Sequence, residues 1–264
     1  MQRALLIGIN QYENAGIVKQ LQGCVQDVAD MQSLILQHCN FKTADITFLQ
    51  DSQATKNKIE IALRDFVNGV KAGDRLLFHN SGHGSYCEYT DQMSGKVVSI
   101  EDGIVPFDYQ CTCNSLLLAS ELKSYLSQLP PEIEFTWVAD TCYSGGLKWA
   151  NTLNTKKRTK FAPPARQWVN DERMRVHPLS MFDISVAIPG ALLAACKADQ
   201  LSNDRPGSFT AELMQELSAP GGLTRSLRQV FDVAAKNTTA AHPEQEPQIF
   251  GPAVTQSRPF MKFR

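Results

Sequence analysis

Short apolar runs, rich in Leu, Ile, Val and aromatic residues, alternate along this chain with stretches whose apolar side chains recur every third or fourth position. The runs predict strands over 4–9, 45–49, 75–79, 134–139 and 191–195. The helical rhythm predicts helices over 25–38, 56–70, 120–129 and 209–217. A further helix is expected over 223–235, after the turn Pro220-Gly221-Gly222. The stretch 246–252 is a candidate last strand, although Pro247 and Pro252 on either side count against a strand there. Strands alternating with helices imply an α/β fold, with a mainly parallel central sheet flanked by helices on both faces.

The rhythm breaks between 149 and 180, where Lys156-Lys157-Arg158, Lys160, Pro163-Pro164 and Arg166 replace it. Because strand and helix patterns resume afterwards, this is expected to be a basic exposed loop at about 150–180 inside a single domain spanning 1–264. A linker between two domains is the alternative, disfavoured because little chain follows it.

A chain of 264 residues, 43% of them hydrophobic, can bury one α/β core. With 26 Lys+Arg against 27 Asp+Glu, no overall field would draw in nucleic acid or an acidic membrane. The apolar run at 4–9 is too short for a secretion leader. The run at 184–196 is broken by Pro189-Gly190 and falls short of the roughly 20 residues a membrane span needs. A cytoplasmic protein is expected, with monomer as the default state. Seven cysteines, an odd number without framework spacing, favour reduced thiols over disulfides. Cys111-x-Cys113 lacks a second pair at zinc spacing, so no zinc site is expected, and Cys24, Cys87 and Cys196 read as structural thiols.

Open α/β sheets place their chemistry at the carboxyl ends of the strands. Two such ends stand out. One strand runs into Ser81-Gly82-His83-Gly84; another delivers Asp140-Thr141-Cys142 just before Tyr143-Ser144-Gly145-Gly146, where the thiol is expected to be exposed. A thiol with pKa of about 8.5 is mostly protonated at neutral pH, and a nearby imidazole can take its proton and later protonate a leaving amine. Cys142 as nucleophile and His83 as general base fit those roles. The main-chain N–H groups of Gly84 and Cys142 are candidate donors to the oxygen that becomes negative in acyl transfer. No third, orienting side chain is evident. The competing reading of Cys142 alone is core packing, the commoner fate of a cysteine.

The two motifs, 142 − 83 = 59 residues apart, resemble the His and Cys motifs of metacaspases and their bacterial relatives, the orthocaspases. The likeness extends to residues 4–10, 21–28, 101–108 and 193–200. It implies the caspase-hemoglobinase fold, a cysteine endopeptidase, and cleavage of protein or peptide substrates after Arg or Lys. In that family the primary pocket is lined by acids, and the matching positions are Asp27 and Asp140, with Cys24 and Ser81 beside them. A buried carboxylate would grip a guanidinium by a bidentate contact. The plainer alternatives are a helix-start residue for Asp27 and a backbone-orienting carboxylate for Asp140.

If the enzyme cuts after basic residues, Lys156, Lys157, Arg158, Lys160 and Arg166 offer sites of self-cleavage, unless they form only a solvated surface. Many members of the family hold calcium through acids on either side of the Cys motif. The corresponding stretches here read Leu117-Leu118-Ala119-Ser120 and Leu147-Lys148-Trp149-Ala150, without a carboxylate. No cofactor is therefore expected and calcium is not favoured, although Glu88, Asp91, Glu101 and Asp102 remain a possible cluster. The family's optional extensions are not seen, so partners would be supplied in trans or not at all. A catalytically silent caspase-like scaffold is the alternative function.

Overall fold

The computed structural model describes residues 1–142, 159–169, 180–185 and 188–261. The chain opens with β1 (Gln2–Gly8) and α1 (Cys24–His38), then β2 (Ile46–Gln50), α2 (Lys56–Val67) and β3 (Arg75–Ser81). It continues through β4 (Gly84–Asp91), β5 (Val97–Ile104), β6 (Leu117–Leu118), α3 (Ala119–Leu126) and β7 (Glu134–Asp140). After β8 (Ala165–Val169) and α4 (Met181–Ser185) come β9 (Ala191–Ala194), α5 (Phe209–Ser218), α6 (Leu227–Ala241), β10 (Gln248–Phe250) and α7 (Ala253–Gln256).

The strands expected from the apolar runs form one six-stranded sheet in the order β10-β9-β7-β3-β1-β2. It is parallel except where β10 runs against β9 at the edge. Successive residues of a strand point to opposite faces, and β1 shows the consequence. Leu5 and Ile7 pack with Ile59, Leu63 and Phe66 of α2 and Leu122 of α3, whereas Ala4 and Leu6 pack with Val28, Met31 and Ile35 of α1, together with α5 and α6. Under the first face, the rings of Phe78 and Trp137 stack with centroids 5.3 Å apart.

A second, four-stranded sheet in the order β6-β5-β4-β8 was not expected from the sequence. β4 and β5 form a hairpin, and β8 lies parallel to β4. Its strands carry Glu88, Asp91, Ser99, Glu101 and Asp102 among their apolar residues, so neither a solid apolar run nor clean alternation marks them. β8 also corrects the reading of 150–180 as an exposed loop. Within its described part, Lys160, Ala162, Ala165 and Val169 are buried. Residues 143–158, which include Lys156, Lys157, Arg158 and the stretch 147–150, lie outside the described residues.

The expectation of reduced thiols throughout is overturned at two positions. Cys87 on β4 and Cys113 on the turn before β6 form a disulfide, with Cα atoms 5.2 Å apart. A separation of 26 residues gave no spacing signal, and the pairing of the second sheet brings them together. Cys24, Cys39, Cys111, Cys142 and Cys196 take no part in a disulfide.

Candidate active site

β3 and β7 are neighbours in the central sheet, paired in parallel so that their last residues, Ser81 and Asp140, stand opposite each other. His83 and Cys142 each follow two residues later, on adjacent strand exits. The two exits touch closely: a Cβ on Gly84 would collide with the carbonyl oxygen of Cys142, so only glycine fits there.

The ring of His83 is set by main-chain and tyrosine contacts. Its main-chain N–H donates to the Tyr12 hydroxyl at 2.7 Å, and the two rings lie 4.9 Å apart. Nε2 is 2.7 Å from the Lys19 carbonyl oxygen. A carbonyl can only accept, so Nε2 carries the proton and Nδ1 keeps its lone pair. Nδ1 is buried and makes no hydrogen bond. Burial lowers the imidazole pKa to about 4, against the opposing pull of the Lys19 and Lys160 carbonyls, so the ring is neutral near pH 7. The orienting group that no side chain supplied is thus the Lys19 carbonyl, invisible in a residue pattern because every residue has one.

Cys142 is fully buried, contrary to the expected exposed thiol. Its sulfur accepts the Ser202 N–H at 2.9 Å and lies 3.5 Å from the Ser202 carbonyl. The cover is the chain's own segment around Lys160. Thr159 bridges to Asn203 in antiparallel fashion, Lys160 N–H donates to Ser202 O at 2.8 Å, and Ala162 N–H donates to Gly84 O at 3.1 Å. The carbonyl oxygen of Lys160 accepts from Gly84 N–H at 2.9 Å and from Cys142 N–H at 3.4 Å. Those are the two donors nominated from the sequence.

The side chain of Lys160 descends into the acidic pocket and has no exposure. Its ammonium reaches Asp140 Oδ1 at 2.9 Å, Ser81 Oγ at 3.0 Å and Asp27 Oδ2 at 3.3 Å. Ser81 Oγ in turn donates to Asp27 Oδ2 at 2.7 Å. Burial alone would raise Asp140, but the Lys160 ammonium and donors from Ser202 and Thr210 hold it below the usual carboxylate range. The same ion pairs raise Lys160 against its desolvation. Burial also pushes the Cys24 thiol up, leaving it a neutral member of the wall. All four pocket residues named from the sequence, Asp27, Asp140, Cys24 and Ser81, are buried together here.

Distant residues fix this pocket. The start of α1, whose first turn presents Asp27, is anchored by Asp204, which accepts from the Gln22 and Gly23 N–H groups just ahead of the helix, and by Asn10, which accepts from the first-turn N–H groups of Cys24 and Val25. Ser202 Oγ donates to Asp140 Oδ1 at 2.7 Å, and buried Gln245 holds Asn203 N–H at 3.0 Å. The sequence reading missed Tyr12, Lys19, Ser202, Asp204, Arg205 and Gln245. None lies in a motif, and only Lys160 carried a signal, as one of several basic residues.

The acids considered for calcium are engaged separately. Glu88 pairs with Arg166, Asp91 closes the turn at Ser94, and Glu101 accepts from Tyr89 and Ser120. Among the described residues no group of three or more His, Cys, Asp or Glu side chains forms a metal cluster.

The family model described as "Metacaspase, peptidase C14 domain" matches residues 2–148, more than half of the chain. The chain belongs to the metacaspase family. Metacaspase-9 of Arabidopsis thaliana is 36% identical over 151 residues, covering 54% of this chain and 43% of that protein. Metacaspase-1 of Schizosaccharomyces pombe is 31% identical over 162 residues, covering 58% and 36%. The chain therefore spans under half the length of these metacaspases. Protein GSU0716 from Geobacter sulfurreducens, a solved structure, superposes with a TM-score of 0.72 at 21% identity, covering 100% of this chain and 99% of that one. The central sheet with helices on both faces is the caspase-like fold expected of a metacaspase. The family match ends at 148, so Lys160, Ser202 and Arg205 lie outside it.

Proposed function

We propose that this metacaspase-family chain is a cysteine endopeptidase that hydrolyses peptide bonds after Lys or Arg, and that its first substrate is its own Lys160–Phe161 bond. The carrying observation is the course of Lys160 past Cys142, with its carbonyl on the Gly84 and Cys142 N–H groups and its ammonium on Asp27, Asp140 and Ser81. A bound substrate would need those same contacts.

In this mechanism His83 Nδ1 takes the thiol proton of Cys142, and the sulfur forms a bond to the Lys160 carbonyl carbon. Negative charge develops on the oxygen that Gly84 and Cys142 already hold. The C–N bond to Phe161 breaks as His83 returns the proton to the leaving nitrogen. Water then hydrolyses the thioester, giving the Lys160 carboxylate and the free thiol. The cut releases the covering segment and opens the pocket to protein or peptide substrates with a basic residue before the cut.

The test is intact mass of purified protein beside Cys142→Ala. Fragments meeting between 160 and 161 in wild type alone support the reading, and identical uncut masses overturn it. A silent scaffold would additionally leave every Lys and Arg peptide uncut.

Activity is proposed to need no calcium, and activity lost in EDTA and restored only by calcium would refute that. We propose a monomer acting without nucleic acid or membrane. No helix among the described residues is long and apolar enough to cross a membrane. The Cys87–Cys113 disulfide weighs against the cytoplasm, since such bonds persist in oxidising compartments. Thiol trapping in intact cells decides that point.

A further inference from the structure

We infer that Arg205 is a specificity-determining residue that makes the acidic pocket select lysine over arginine, by holding one oxygen of Asp27 away from the substrate. This rests on the peptidase reading above and adds to it a residue and a direction of selectivity.

Each pocket carboxylate offers only one oxygen inward. Asp27 Oδ1 accepts from Arg205 Nε at 2.7 Å, while Oδ2 faces Lys160. Asp140 Oδ2 accepts the Thr210 N–H at 3.0 Å, while Oδ1 faces Lys160. With Ser81 Oγ, the floor presents three acceptors from three different side chains, all buried. An ammonium carries three N–H donors around one nitrogen, and Lys160 directs that nitrogen at all three. A guanidinium is a planar fork that binds best to both oxygens of one carboxylate. Neither Asp27 nor Asp140 has both free, so the bidentate grip expected from the sequence has no partner here. Arginine also projects its nitrogens farther from the main chain than lysine does. The Lys160 nitrogen already touches the floor, so an arginine requires these buried acceptors to withdraw.

Arg205 is also the cation that stays beside Asp27 when Lys160 leaves, sharing its charge with Asp30. The guanidinium is held firmly for this role. Its Nη2 donates to Asp30 Oδ2 at 2.6 Å, so it spans two acids three residues apart on α1. Its chain neighbour Asp204 caps that same helix, fixing the main chain on one side.

The experiment compares kcat/KM for two reporter peptides identical except for Lys or Arg before the cut, using self-processed wild type, Arg205→Met and Asp30→Asn. Methionine keeps much of the apolar stem and removes the charge. Asp30→Asn leaves Arg205 in place and loosens one anchor on the helix surface, so it tests the idea if Arg205→Met does not fold. Wild type is expected to favour Lys by about tenfold, and Arg205→Met to reduce that ratio by about tenfold, mainly through a lower KM for the Arg peptide. Asp30→Asn is expected to shift the ratio the same way by a smaller factor. A wild type that favours Arg, or a ratio unchanged in both variants, overturns the inference while leaving the peptidase reading intact. If wild type cuts neither peptide, the peptidase reading fails and this inference with it.

Discussion

Ser81 and Asp140 face each other as the last residues of two paired parallel strands, and this register brings Gly84 against the carbonyl of Cys142. A methyl group at position 84 has no room, and the carbonyl it would strike is main chain that cannot swing aside. Gly84→Ala is therefore expected to reduce self-cleavage by at least about a hundredfold, the scale for losing one oxyanion donor. Timed electrophoresis of fresh protein measures it. Cleavage at the wild-type rate would show that this approach is not needed.

Lys160 covers Cys142 and, in the proposed self-cleavage, supplies the bond to be cut. Lys160→Gln keeps a polar, slightly shorter side chain but removes the ammonium paired with both buried carboxylates. An unpaired buried charge costs roughly 3–5 kcal/mol, so the segment should leave the pocket and admit water. The expected outcome is no cut after residue 160, together with hydrolysis of a Lys peptide that starts without the lag shown by unprocessed wild type. Mass spectrometry and a progress curve give the two readouts.

His79 and His83 link the closed form to pH. Burial lowers the pKa of His79 to about 3 and of His83 to about 4, from an ordinary value near 6.5. The unfolded chain thus binds more protons below that ordinary value. The stability these neutral rings share is fully present above pH 6.5 and is lost as pH falls towards 4 and then 3. Each ring contributes a slope of up to about 1.4 kcal/mol per pH unit within that window. Urea unfolding of Cys142→Ala, which keeps the chain intact, should show stability falling below pH 6.5. Adding His79→Gln should flatten the fall, and an identical slope in the two proteins would count against a buried neutral His79.

The Cys87–Cys113 bond closes a loop whose ends are 26 residues apart. Loop-closure entropy assigns such a link about 3 kcal/mol. Reduction, or Cys87→Ala with Cys113→Ala, is expected to lower the denaturation midpoint accordingly. Equal midpoints with and without reductant would refute that contribution.

Much of the framework was legible in the residues. The five apolar runs became five strands of the central sheet, with ends within two residues of those expected; β3, β7 and β9 are buried along almost their whole length and so must be apolar, whereas β2, at the edge, is only partly buried. The 25–38, 56–70 and 209–217 periodicities became α1, α2 and α5. The helix expected from 223 begins at Leu227 instead, where Ser226 caps it and Gln229 completes the capping box after a short 3-10 turn. The second sheet was not legible, because its acids are satisfied by tertiary partners such as Arg166 for Glu88 and the Ser120 N–H for Glu101.

The sequence by itself determined the chemistry available: a histidine and a cysteine at two strand exits, and acids at 27 and 140. Local spacing and apolar patterning suffice for that, since each is a property of a few neighbouring residues. Only the tertiary structure decided what fills the acidic pocket, which carbonyl orients His83 and which cation shares Asp27. Lys160, Lys19 and Arg205 lie 133, 8 and 178 residues from Asp27 along the chain. The folding of the sheet brings them within hydrogen-bonding reach of the site, and burial makes each of those contacts count.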